Sequence, residues 1–90
     1  MEFEWDTAKA KSNLHKHGVG FRDASSIFDE PILSWPDTRR DYGEDRVVAL
    51  GVAAGQVLKV IFTRRGQRVR IISAWRASSD EAATYRTFYA

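Results

Sequence analysis

Three runs of β-type residues, Arg46–Val52, Val57–Thr63 and Arg68–Trp75, follow one another with only Ala53-Ala54-Gly55-Gln56 and Arg64-Arg65-Gly66-Gln67 between them. Glycine-containing connections this short join neighbouring strands as hairpins. The C-terminal half therefore forms an antiparallel meander, and the rest of the chain has to be arranged around it.

The N-terminal half reads as two helices. Phe3 and Trp5 alternate with Glu2 and Glu4, which marks a short opening strand with one buried face. Asp6 is placed to cap a helix over Thr7–His17, with Trp5 and Ala10 as its hydrophobic staple and Gly18 as its stop. After Val19 and Gly20, the spacing of Phe21, Ala24, Ile27 and Phe28 predicts a second amphipathic helix, ended by Pro31. Ile32–Trp35 reads as extended and the polar stretch Pro36–Asp45 as a loop. Beyond the meander, Ser78 and Glu81 form a capping-box pattern ahead of Ala82, Tyr85 and Tyr89, so a C-terminal helix closes the chain. Ninety residues with 43% hydrophobic side chains suit a single α+β domain spanning 1–90.

Charge is divided unevenly. The first 45 residues carry ten acids and six bases, whereas Arg46 to Arg76 holds seven Lys or Arg and no acid. The positive charge is mostly arginine, ten against four Lys, and a planar guanidinium forks onto phosphate in a way an ammonium does not. A basic half of this kind attracts a polyanion, RNA or DNA. The chain has no cysteine, which excludes a disulfide framework, thiolate chemistry and a zinc finger. The acidic opening is unlike a signal peptide and no apolar run is long enough for a bilayer, so a soluble, cytoplasmic protein without membrane partners is expected.

Strand alternation sets Arg68, Arg70 and Arg76 on one face of the last run and Val69, Ile71, Ser73 and Trp75 on the other. Arg64 and Arg65 in the preceding turn extend the row toward several phosphates. The competing role for these arginines is surface pairing with Asp37, Asp41, Glu44 or Asp45. His15 and His17 point in different directions on their helix and lack a third ligand, so no metal site is read from them. They suit a helix C-terminus, and His17 could also carry a proton. Glu81 and Tyr85, one helical turn apart, could serve acid–base chemistry, against the simpler roles of cap and core residue. Nothing suggests a catalytic triad, a phosphate loop or a magnesium-binding carboxylate pair. The residues by themselves indicate a basic RNA- or DNA-binding domain.

Several blocks taken together narrow this reading: Phe3-Glu4-Trp5-Asp6, Lys9-Ala10, Asn13-Leu14, Lys16-His17-Gly18-Val19 with Phe21, Phe28-Asp29-Glu30-Pro31, Gly43-Glu44-Asp45-Arg46 and Arg70-Ile71-Ile72-Ser73-Ala74, followed by Ala77, Glu81 and Tyr85. In order and over nearly the whole chain, they resemble the BrnT family of bacterial type II toxins. The resemblance implies a RelE-like α+β fold, with two N-terminal helices and a C-terminal helix packed on an antiparallel sheet. It implies a metal-independent, cofactor-free endoribonuclease that uses the ribose 2′-hydroxyl as nucleophile and halts translation and growth. It also implies a BrnA-type ribbon-helix-helix antitoxin as partner, through which operator DNA is bound indirectly. Matching positions make Arg64, Arg70, Arg76, Glu81 and Tyr85 the candidate catalytic residues, with His17 and Lys16 as second choices for catalysis and RNA contact. Arg65 and Arg68 of the basic row are further candidate RNA contacts, and Trp75 either packs in the core, its default role, or stacks on a base.

One position departs from the family pattern. Where the family usually continues Ile-Ser-Ala with Arg, this chain has Trp75, with Arg76 next. Alternation aims Arg76 at the opposite face from the residue it would replace, unless a bulge intervenes. The alternative to an active nuclease is an antitoxin-bound co-repressor, or an RNA-binding module, that has lost catalytic power through this change.

Overall fold

A computed structural model describes residues 1–90. In chain order the elements are β1 (Glu2–Glu4), α1 (Thr7–His17), α2 (Phe21–Ser26) with a 3-10 turn (Ile27–Asp29), β2 (Leu33–Pro36), β3 (Arg46–Ala53), β4 (Gln56–Arg65), β5 (Arg68–Arg76) and α3 (Ser79–Phe88). The meander forms as read, β3 to β4 to β5, and its tight loops place Gly55 at φ 78° and Gly66 at φ 60°, backbone conformations that glycine adopts without a Cβ clash. Two more strands complete a sheet of order β1-β5-β4-β3-β2. β1 joins β5 in parallel, pairing Glu2, Phe3 and Glu4 with Arg68, Val69 and Arg70. The sheet is therefore mostly, not wholly, antiparallel.

The first helix matches its sequence signals. Asp6 accepts a hydrogen bond from Lys9 N, and Gly18 ends the helix in the left-handed conformation at φ 69°. The second helix is shorter than its apolar spacing suggests. Ser25 and Ser26 donate their hydroxyls to the carbonyls of Arg22 and Asp23, a local competition with helical bonding that favours termination. The chain tightens to a 3-10 turn at Ile27, yet Phe21, Ala24 and Ile27 all stay buried.

The two faces of the sheet are unequal. α1 and α2 pack on one face over Ala49, Leu58, Val60, Phe62, Val69, Ile71 and Ala74, which form the main core. The approach is tightest at Gly51, where an added Cβ would lie 2.7 Å from Ile27 Cβ. On the other face α3 covers one end, packing Tyr85 on Leu50 and Val57. The remainder of that second face is the floor of the candidate site.

Between β4 and β5 the register steps from Ile61↔Ser73 to Phe62↔Ile71, leaving Ile72 as an extra residue. Such a bulge reverses the facing of everything after it. Ala74, three residues beyond Ile71, is thereby returned to the helix side and is fully buried. Asn13, the buried polar residue of α1, fixes this segment: its Nδ2 donates to Ala74 O at 2.7 Å and to Val19 O at 3.0 Å, while Ala74 N donates to its Oδ1 at 3.1 Å. β1 ends opposite Arg70, so the asparagine amide takes up Ala74 as a further strand would.

Replacing Asn13 with Ala would leave these buried backbone groups unpaired, at a cost of about 1–3 kcal/mol for each group that finds no water. We expect Asn13→Ala to lower the urea midpoint by an amount equivalent to roughly 2–4 kcal/mol with little change in m-value.

Candidate active site

The bulge decides which charged side chains meet. Before it, Arg68 and Arg70 lie on the α3-side face, opposite Arg65 and Thr63. After it, Trp75 pairs with Lys59 on that same face, and Arg76 pairs with Leu58 on the helix side. The single row of Arg68, Arg70 and Arg76 expected from simple alternation is therefore split by one residue. Arg76 lies exposed beside Gly18, Val19 and Asp23. Arg64 shares that helix-side facing, with its guanidinium 5.6 Å from the Phe62 ring centroid.

The expected surface pairing occurs in part, with different partners. Glu44 holds Arg46 at 3.0 Å and Arg65 at 3.4 Å, but Arg68 and Arg70 are engaged by the acids of β1. Glu4 accepts from Arg70 Nη1 at 2.5 Å, and Glu2 lies 3.5 Å from Arg68 Nε. These pairs depend on β1 lying beside β5, a non-local neighbour that no local pattern reveals.

At the other end of the open face Lys59, Trp75 and Glu81 converge. Lys59 Nζ lies 2.6 Å from Glu81 Oε2 and 5.9 Å from the Trp75 ring centroid. The capping box at the start of α3 sets this geometry, since Ser78 N donates to Glu81 Oε1 at 2.9 Å and Glu81 N to Ser78 Oγ at 3.1 Å. One carboxylate thus caps a helix and grips a lysine. Hydrogen bonding from Lys59, then from Ser78 N, holds the Glu81 carboxyl below its ordinary value, so it remains an ionised acceptor. Both side chains are about one-quarter exposed, open to a ligand from the solvent side. Lys59 was not singled out from sequence, although a lone lysine interrupting the apolar run of β4 was the available signal.

His17, at the exposed C-terminal end of α1, lies with its ring centroid 5.7 Å from that of Trp75. Lys16 is exposed on the same helical turn. Tyr85 is placed elsewhere: it is buried on Leu50 and Val57, and its hydroxyl donates to Pro31 O at 2.5 Å. Burial, then the neighbouring Tyr89, pushes its phenol above the ordinary value. It anchors α3 and is not part of the open constellation. No group of three or more His, Asp and Glu side chains is arranged to hold a metal ion.

The loop between β2 and β3 borders the same face. Asp37, whose side chain is 1% exposed, accepts from Arg39 Nε and Nη2 at 2.8 Å each. This fork holds its carboxyl at about 2, against an ordinary 3.8. Tyr42 lies under two guanidiniums, with Arg46 at 4.2 Å and Arg40 at 4.9 Å from the ring centroid.

Comparison with known families supplies the deciding observation: residues 5–81 match the family model of BrnT, described as the ribonuclease toxin of type II toxin–antitoxin systems. The chain belongs to the BrnT family. Comparison with curated proteins gave no match. The BrnT match takes in Lys59, Trp75 and Glu81, together with the Asn13 brace and the bulge. Membership of this family implies RNA as substrate and an antitoxin as partner. No helix is long and apolar enough to cross a membrane.

The Asp37 carboxyl gives an acid-stability prediction. Its folded pKa is depressed, so its contribution is complete above 3.8 and is lost as pH falls through about 2. The urea midpoint of the wild type should fall more steeply over this window than that of Asp37→Asn; parallel curves would contradict the assignment.

Proposed function

We propose that this BrnT-family chain is a metal-independent endoribonuclease whose reaction takes place on the open, α3-side face of the sheet. The observation that carries this reading is the Lys59–Glu81 pair beside Trp75, inside the segment that matches a ribonuclease family. Glu81, kept ionised by its partners, accepts the proton of a ribose 2′-hydroxyl. The oxygen then attacks the adjacent phosphorus, giving a 2′,3′-cyclic phosphate and expelling the 5′-oxygen. Lys59 stabilises the charge that builds on the phosphoryl oxygens. His17, against Trp75, is the group available to return a proton to the leaving oxygen. Arg70, with Arg65 and Arg68, carries the flanking backbone, and Trp75 stacks on a base. Arg64, Arg76 and Lys16 lie outside this constellation and contribute charge to other parts of the surface.

In the cell the reading is of a single toxin domain over residues 1–90, cytoplasmic, which cuts RNA, stops translation and arrests growth. It is neutralised by a BrnA-type ribbon-helix-helix antitoxin, which carries the complex to operator DNA. One observation favours a second reading. Trp75 stands where the family pattern has Arg, on the same face as Lys59, so the substitution removes a cation from the site itself. A catalytically weakened toxin retained as co-repressor would look like this.

One experiment separates the two. Protein freed of antitoxin is incubated with RNA in EDTA, and the product ends are identified. The nuclease reading predicts cleavage with cyclic phosphate ends, a loss of roughly 10²–10³ in rate for Lys59→Met, a loss of about 10²–10⁴ for Glu81→Gln, and little change for Arg76→Ala. Absence of cleavage by the wild type, with cleavage gained in Trp75→Arg, would establish the co-repressor reading instead. Induction of the wild-type chain alone should arrest growth, and co-expression of the cognate antitoxin should relieve it.

A further inference from the structure

A second indole faces the Lys59–Glu81 pair from the other side. Trp35 on β2 pairs with Val48 of β3, which pairs with Ile61 of β4, so Trp35 stands on the same open face as Lys59 and Trp75. Lys59 is one strand from Trp75 and two from Trp35, at about 5 Å per strand. Trp35 is 40% exposed, a large apolar surface left uncovered beside a charged pair. A cleft of about 140 Å³ separates it from Lys59, with Val48 on its floor and Thr38 and Arg39 on its rim.

The rim is braced by hydrogen bonds and carries directed donors. Asp37 N donates to Arg46 O at 2.8 Å, continuing the β2–β3 pairing into the loop. The buried Asp37 carboxylate then locks Arg39 through Nε and one Nη2 proton. A guanidinium has five donors, so with two directed at Asp37 the outer edge of Arg39, whose side chain is 63% exposed, keeps donors to offer, with the Tyr42 phenol as its neighbour. A planar pair of donors beside an exposed aromatic face matches a stacked guanine, whose O6 and N7 accept a fork of this kind.

We propose that Trp35 and Arg39 form a guanine-selective base subsite, so that the scissile phosphate rests on Lys59 between one base stacked on Trp75 and a guanine stacked on Trp35. The proposal rests on the nuclease reading of the same face and adds the base preference to it. Single-stranded RNA accommodates such an arrangement because its unstacked bases splay onto aromatic side chains.

The test uses fluorescent 2′-O-methyl oligonucleotides, which cannot supply the 2′-hydroxyl nucleophile. One carries a single guanine among pyrimidines, and in the other adenine replaces that guanine. Cleavage of the matching unmodified RNAs is measured in parallel. Wild type should bind the guanine oligonucleotide about tenfold more tightly, and Trp35→Ala should weaken both oligonucleotides by about tenfold. Trp35→Phe, which keeps an aromatic face and guards against a folding defect, should recover most of that loss. Arg39→Lys keeps a charge for Asp37 but loses the fork, and should remove the preference for guanine. Wild type that binds and cleaves RNA, with unaltered affinity and site choice in Trp35→Ala, would overturn the subsite alone. Loss of antitoxin binding in Trp35→Ala with unaltered RNA affinity would also overturn it, marking the indole as a protein contact. Wild type that neither binds nor cleaves would overturn the nuclease reading, and the subsite with it.

Discussion

The amide of Asn13 holds the two halves of the molecule in register. From the middle of α1 it accepts from Ala74 N and donates to the carbonyls of Ala74 and Val19, joining the first helix, the turn after it and the last strand. The main core supplies most of the burial, but apolar contact is non-directional and does not choose which residue of β5 lies under α1. Three hydrogen bonds to one buried side chain do choose. They fix β5 just beyond the bulge at Ile72, and so determine that Trp75, not Arg76, reaches the open face.

From that choice the candidate site follows. Trp75 and Lys59 become cross-strand neighbours, and α3, starting a few residues later, swings Glu81 over Lys59. The capping box then makes the carboxylate serve two structures at once, the helix N-terminus and the ammonium. Such an arrangement costs little reorganisation when charge develops at a phosphate, because the donor and the acceptor are already oriented. The Arg70–Glu4 and Arg68–Glu2 pairs add a second consequence. The positive half of the sequence is partly neutralised by the acids of β1, as Lys59 is by Glu81, while Arg64 and Arg76 stay exposed on the helix side.

Much of the fold was legible in sequence because its signals are local. The caps at Asp6, Gly18 and Ser78 and the two glycine hairpins each act within a few residues, and each appears where it was expected. Membership of the BrnT family was legible too, from short blocks spread along the chain. The site was less so. The bulge at Ile72 leaves no mark in Arg70-Ile71-Ile72-Ser73-Ala74, so simple alternation placed Arg76 with Arg68 and Arg70. The parallel neighbour β1 and its claim on those arginines come from packing between distant segments. Lys59 passed unnoticed because its meaning depends on Glu81, more than twenty residues away. Glu81 itself was recognised as a cap, and only the structure adds its grip on Lys59.

The central claim is that RNA lies on the α3-side face of the sheet, and the most direct measurement is a map of amide chemical-shift changes on titration with a non-cleavable RNA. The account predicts the largest changes at Val48, Lys59, Ser73, Trp75 and Glu81, with Arg22, Asp23 and Arg64 nearly still. Changes concentrated instead around Arg22, Asp23 and Arg64 would place the RNA on the helix side and contradict it.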